Sequence, residues 1–174
     1  MVNTKKKIVI IIIAIATVIL AALGISNMYS EKNLTKQYFM DCAKRNDFDV
    51  IDKTDYAYSV NGLDTIVVAL EYGDTKSAIG SSEYYKFKSK KEAEEFEKNQ
   101  ILKSLDEAYK TDLPNKSKDT KKDKEGNKQY IYILGDTTCS VYRKGNVIIF
   151  SNIDNKNGIK NYKRFERQLI PNLK

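Results

Sequence analysis

Residues 129–151 read QYIYILGDTTCSVYRKGNVIIFS. Strand-forming residues fill Gln129–Leu134, Thr137–Arg143 and Val147–Ser151, and the breaks between them are Gly135-Asp136 and Lys144-Gly145-Asn146. Runs rich in aromatic and β-branched residues, separated by two or three turn residues, fold back as antiparallel neighbours, because a parallel return needs a crossover of a dozen residues or more. This stretch predicts a three-stranded meander, and with it an antiparallel sheet.

Reading outward toward the C-terminus, Ile159, Tyr162, Phe165 and Leu169 recur at helical intervals until Pro171, so a helix over about 157–170 closes the chain. Upstream, Asn115–Lys128 holds six lysines, three acidic residues and one glycine with no apolar side chain. A mobile polar loop at about 111–128 is expected, since nothing in its centre can be buried. Before Pro114, Ser89-Lys90-Lys91-Glu92 has the form of a capping box. Ala93, Phe96, Ile101, Leu105 and Ala108 then share one face of a helix over Ser89–Lys110.

Further upstream, Tyr84–Lys88 reads as a short strand after the turn-rich Gly73–Ser82. Tyr56–Val60 and Leu63–Tyr72 read as a hairpin turning at Asn61-Gly62, the favoured pair for a type I′ turn. Leu34, Tyr38 and Cys42, widened by Phe39 and Ala43, place a helix over Glu31–Asn46 that follows the N-terminal segment almost directly. The fold class is therefore α+β: one domain over 30–174 with an antiparallel sheet of about six strands, in the order α-βββ-α-βββ-α, and helices packed on one face.

The N-terminus adds a membrane segment to this domain. Ile8–Ile25 is IVIIIIAIATVILAALGI, eighteen positions without a charge. At about 1.5 Å per residue it covers roughly 27 Å, close to the hydrocarbon thickness of a bilayer. Lys5, Lys6 and Lys7 precede it, so residues 1–7 read as a cytoplasmic tail, 8–25 as a single-pass signal anchor in the lipid bilayer of the cell membrane, and the remainder as extracellular. A cleaved signal peptide is the alternative, which Ala21-Ala22-Leu23-Gly24 imitates loosely, but signal h-regions are shorter.

Composition narrows the function. The formal charge is +7; setting aside Lys5, Lys6 and Lys7 leaves 27 basic against 23 acidic residues, or +4, with acidic residues interspersed among the lysines. That pattern argues against nucleic acid as a partner. Histidine is absent, which removes Ser-His-Asp and Cys-His pairs and His-based zinc sites, so no catalytic residue, metal or cofactor is assigned. Asp47, Asp49, Asp52 and Asp55 lack the glycine and terminal glutamate of a calcium loop and read as solvated turn carboxylates.

Two constellations remain. Cys42 and Cys139 are the only cysteines, and outside the membrane they could form a disulfide, or each could be a small buried hydrophobe. Twelve tyrosines stand against six phenylalanines, and Tyr56, Tyr58, Tyr84, Tyr130 and Tyr132 fall on expected strands, where an exposed sheet face would form a contact surface for a protein or cell-envelope partner. The expected function is a noncatalytic, membrane-anchored binding or accessory domain; the alternative is an envelope enzyme relying on Asp, Glu, Lys or Tyr.

Overall fold

The structure is a computed structural model that describes residues 34–74 and 76–170. The basic tail with Lys5, Lys6 and Lys7 and the apolar segment 8–25 lie outside those residues. Among the described residues no helix is long and apolar enough to cross a membrane.

The chain runs α1 (Lys36–Arg45), β1 (Asp49–Asp52), a 3-10 helix (Thr54–Ser59), β2 (Leu63–Tyr72) and β3 (Ala78–Phe87). It continues with α2 (Lys90–Phe96), a π-helical segment (Glu97–Leu102) and α3 (Lys103–Lys110), then β4 (Ser117–Lys122), β5 (Lys128–Leu134), β6 (Thr137–Lys144), β7 (Val147–Asp154) and α4 (Ile159–Leu169). The seven strands form a single antiparallel sheet in the order β1-β2-β3-β7-β6-β5-β4. The expected meander is present as β5-β6-β7, with Tyr132 opposite Cys139 and Tyr142 opposite Ile149. Gly135 and Gly145 take positive φ (+64° and +60°) at its two turns, the region that turn glycines reach without steric cost.

Helices cover both faces of the sheet, not one. On β7, Val147, Ile149 and Ile153 enter one apolar cluster with Phe39 and Cys42 of α1 and Phe165 and Leu169 of α4. Ile148 enters another with Ala93 of α2 and Leu105 of α3, together with Phe87, Tyr132 and Val141. Successive strand side chains point to opposite faces, so the unbroken run Val147-Ile148-Ile149-Phe150 is what a doubly covered strand requires. On the first face Phe165 meets Phe39 edge-on at 5.7 Å and Phe48 at 5.1 Å, which locks α4 across α1.

Four further expectations are corrected. Tyr56–Val60 is not a strand: Tyr56 N–H donates to Lys53 C=O and Val60 N–H to Ala57 C=O, the short-range bonding of a 3-10 turn. The neighbour of β2 is instead β1, which pairs Asp49–Asp52 with Val67–Leu70. Secondly, β3 starts at Ala78, inside the stretch expected as turn; its small residues serve close packing, with Ser82 Oγ 2.8 Å from Ser151 Oγ on β7. Thirdly, the polar segment expected as loop contains β4, paired along β5 from Ser117 opposite Ile133 to Lys122 opposite Lys128. An edge strand is held by its ladder on one side and needs no apolar face, and edge lysines discourage pairing with other chains. Finally, α1 starts at Lys36 rather than Glu31: extended Thr35 caps it by accepting from Tyr38 N–H, and residues 31–33 of the expected span lie outside the described residues.

A polar seam runs beneath α4. Tyr162 donates to Glu166 (2.8 Å) and its hydroxyl lies 2.5 Å from Ser140 Oγ, while Gln129 donates to Glu166 as well. Asn161 donates to one oxygen of buried Glu71 at 2.8 Å, and the other oxygen, Oε2, has no hydrogen-bond partner. Burial raises the Glu71 pKa above the ordinary carboxylate range, partly opposed by the Asn161 bond.

Candidate functional site

The helix crossing the second face carries the most site-like geometry. Ser89 starts it as the capping box implies: Ser89 Oγ accepts from Glu92 N–H at 3.2 Å and donates to Glu92 Oε2 at 2.8 Å. Past Phe96 the helix widens into the π segment Glu97–Leu102. The reason lies in the spacing of its apolar stripe. Phe96 and Ile101, both packed on the second cluster, are five residues apart, one more than an α-helical face allows, and a π turn absorbs the extra residue. The same turn carries Glu97 inward: it is 7% exposed and accepts from Arg143 Nε of β6 at 2.8 Å.

Two clefts flank this widened helix. The first, about 410 Å³, lies between the turn that follows the 3-10 helix and one side of the helix, lined by Ser59, Asn61, Glu92, Glu95, Asn99 and Gln100. Phe96 also lines it, and its ring packs against Phe87 at 5.1 Å and Tyr85 at 5.6 Å. Gly62 shapes this cleft: its φ is +74°, and a Cβ there would lie 2.4 Å from Glu92 Cδ. No larger residue fits without displacing that carboxylate. The second cleft, about 310 Å³, lies between the β4–β5 and β6–β7 turns and the start of α2, with Lys90, Glu97, Lys128, Tyr130 and Arg143 in its lining.

The tyrosines singled out from sequence do not assemble into one surface. Tyr84 and Tyr132 are each 1% exposed and belong to different clusters on opposite faces of the sheet. Burial pushes the Tyr84 hydroxyl up to about 12, and Tyr132 donates to Asp106 at 2.8 Å. Tyr56 and Tyr58 are exposed, at 67% and 85%, on the 3-10 helix whose last residue lines the first cleft, and Tyr130 lines the second. The sheet faces are covered by helices, so a strand tyrosine is exposed only where no helix reaches it.

Cys42 and Cys139 are both free and buried. Cys42 packs in the cluster under α1 and α4, Cys139 in the cluster under α2 and α3, so the sheet separates them. Of the two readings the sequence offered, the cysteines follow the second: they are unpaired and pack as small buried hydrophobes. Burial pushes the Cys139 thiol up to about 11. Among the described residues no group of three or more metal-ligating side chains gathers.

Asn61, Asn99, Gln100, Lys90, Lys128 and the Glu97–Arg143 pair were not singled out by sequence reasoning. The five-residue gap between Phe96 and Ile101 was the legible signal, since π segments often accompany functional sites. No protein-family model matches the sequence, and no curated protein or solved structure matches it at a significant level.

Proposed function

We propose that the chain is a single-pass, membrane-anchored domain that binds a protein or cell-envelope partner outside the cell through the side of the sheet crossed by the helix that the two clefts flank. The observation that carries this reading is a polar cleft that begins at the residue following exposed Tyr58. Tyr56 and Tyr58 stand in solvent on a short, hydrogen-bonded turn, and the polar cleft beginning at Ser59 opens beside them. Exposed tyrosine next to amide and carboxylate side chains is the composition of a contact site, because the ring offers area at low entropic cost and the polar groups fix orientation.

Support for binding over catalysis comes from where the groups driven upward by burial lie. Tyr85, Tyr142 and Tyr162 are driven upward by burial, as is Cys139, and all four belong to the packed faces of the sheet. A catalytic cleft would hold such groups in its own lining. Support for the anchor comes from the uncharged run 8–25 and the lysines before it.

The test is photo-crosslinking in intact cells from Tyr58 and Asn99, with exposed Lys160 on α4 as the control position. The reading expects a defined adduct from the first two and none from Lys160. Equal capture from all three positions, or none, contradicts it. Protease added to whole cells should also digest the C-terminal domain.

A further inference from the structure

We propose that the cleft between the β4–β5 and β6–β7 turns binds a phosphate group, as a phosphomonoester or phosphodiester. This deepens the binding reading by naming a ligand chemistry for one of its two clefts, and it requires neither the first cleft nor the anchor.

The charge of the lining is the first argument. Lys90, Lys128 and Arg143 face a single lining carboxylate, Glu97, and Glu94, outside the lining, pairs with both Arg143 and Lys90, which leaves three positive charges against two negative, or +1. The first cleft differs in sign: Glu92 and Glu95 are its only charged lining residues. The two clefts beside the helix therefore differ in sign.

The second argument decides which anion. Arg143 would ordinarily grip a carboxylate or a phosphate with its guanidinium fork, but that fork is already committed. Its Nε donates to Glu97 at 2.8 Å, its Nη2 lies 3.3 Å from Glu94, and its Nη1 donates to the Gly145 carbonyl at 3.4 Å. It acts as a fixed wall. The adaptable donors are the ammonium groups of Lys90 and Lys128. Lys90 is 69% exposed and reaches Glu94 only at 3.8 Å, a weak surface pairing that a stronger anion displaces. Ammonium groups are compact point charges without a fixed fork, and a phosphate presents tetrahedrally arranged oxygens that two such donors can approach from different directions.

The third argument is access. Ideal Cβ atoms built on Gly126 and Gly145, at the two turns that border the cleft, meet nothing within 4 Å, so both turns leave its mouth open. A recess of about 310 Å³ admits a phosphate together with a small organic substituent.

The full-length chain in maltoside micelles, titrated with glycerol phosphate at low ionic strength and followed by phosphorus NMR, tests the assignment. Saturable binding is expected, with K90Q and K128Q each weakening it about fivefold and the double variant more than about twentyfold. K103Q, on α3 outside the lining, should leave it unchanged. Both cleft lysines are solvent-facing, so near-ultraviolet circular dichroism should match the parent in every variant. Unsaturable binding, or a K103Q effect as large as that of K128Q, overturns the proposal. The source of the phosphate is read separately by amine labelling of Lys128 in phosphatidylcholine nanodiscs carrying the full chain. Protection on adding phosphatidylglycerol identifies a lipid headgroup, protection only on adding glycerol phosphate identifies a soluble or polymeric ligand, and protection by neither overturns the site. That failure would leave crosslinking at Tyr58 and Asn99 untouched.

Discussion

Ile148 and Ile149 are neighbours on β7 and enter different apolar clusters, which makes them a sensitive test of the two-sided architecture. Ile148 is 0% exposed, in the cluster beneath α2 and α3; Ile149 is 3% exposed, in the cluster beneath α1 and α4. Truncating a fully buried isoleucine to alanine removes its transfer free energy and leaves a cavity, together about 2–5 kcal/mol. Both Ile148→Ala and Ile149→Ala should therefore cost at least about 2 kcal/mol. A sheet with helices on one face alone would confine the loss to one of them, since a solvent-facing substitution stays within about 0.5 kcal/mol. The assay is urea unfolding of the full chain in micelles, followed by far-ultraviolet circular dichroism, with the loss read from the midpoint at constant slope. If the double alanine variant does not fold, the milder Ile148→Val and Ile149→Val variants, about 0.5–1.5 kcal/mol each, carry the comparison. A loss below about 0.5 kcal/mol at either position, with the other fully affected, refutes the two-sided core.

Three further outcomes follow from named contacts. Glu97→Gln weakens the pair with Arg143, which keeps Glu94 at 3.3 Å, so unfolding stability should fall by about 1–3 kcal/mol; an unchanged urea midpoint would remove Glu97 as the anchor of the π segment. Glu71 has a raised folded-state pKa, so its favourable contribution is complete below the ordinary glutamate range and is lost as pH rises through the folded value. Glu71→Gln should accordingly be more stable than the parent at neutral pH and lose that advantage in acid; a gain independent of pH contradicts this. Cys42 and Cys139 should resist a thiol reagent in the native chain and react together once the chain is denatured, and rapid native labelling of either would contradict its burial.

How far the fold and site can be read from the sequence is clearest at particular residues. The meander over 129–151, the capping box at Ser89 and the closing helix through Phe165 depend on local turn chemistry and periodicity, and all three are in the structure. Tyr56–Val60 misled because aromatic content favours a strand only where a neighbour is available to pair, and β1 had taken that edge of β2. The segment around Ser117–Lys122 misled for the opposite reason: an edge strand is held by backbone bonds from β5, which side-chain polarity does not report. The gap between Phe96 and Ile101 was legible but does not say which residue turns inward.

The capped start of the helix at Ser89, the antiparallel sense of the last strands, the closing helix and the uncharged run at 8–25 were fixed by residues close in the chain, because turns, caps and apolar periodicity act over a few positions. Which face each helix covers, the separation of Cys42 from Cys139, and the meeting of Lys90 with Lys128 and Arg143 arise only when distant strands pair. The physical reason is that a sheet has two sides and its outer strands either pair or stay exposed, and both choices are made by contacts far apart in sequence. The tertiary structure alone therefore turned a lysine-rich stretch into one wall of a cleft.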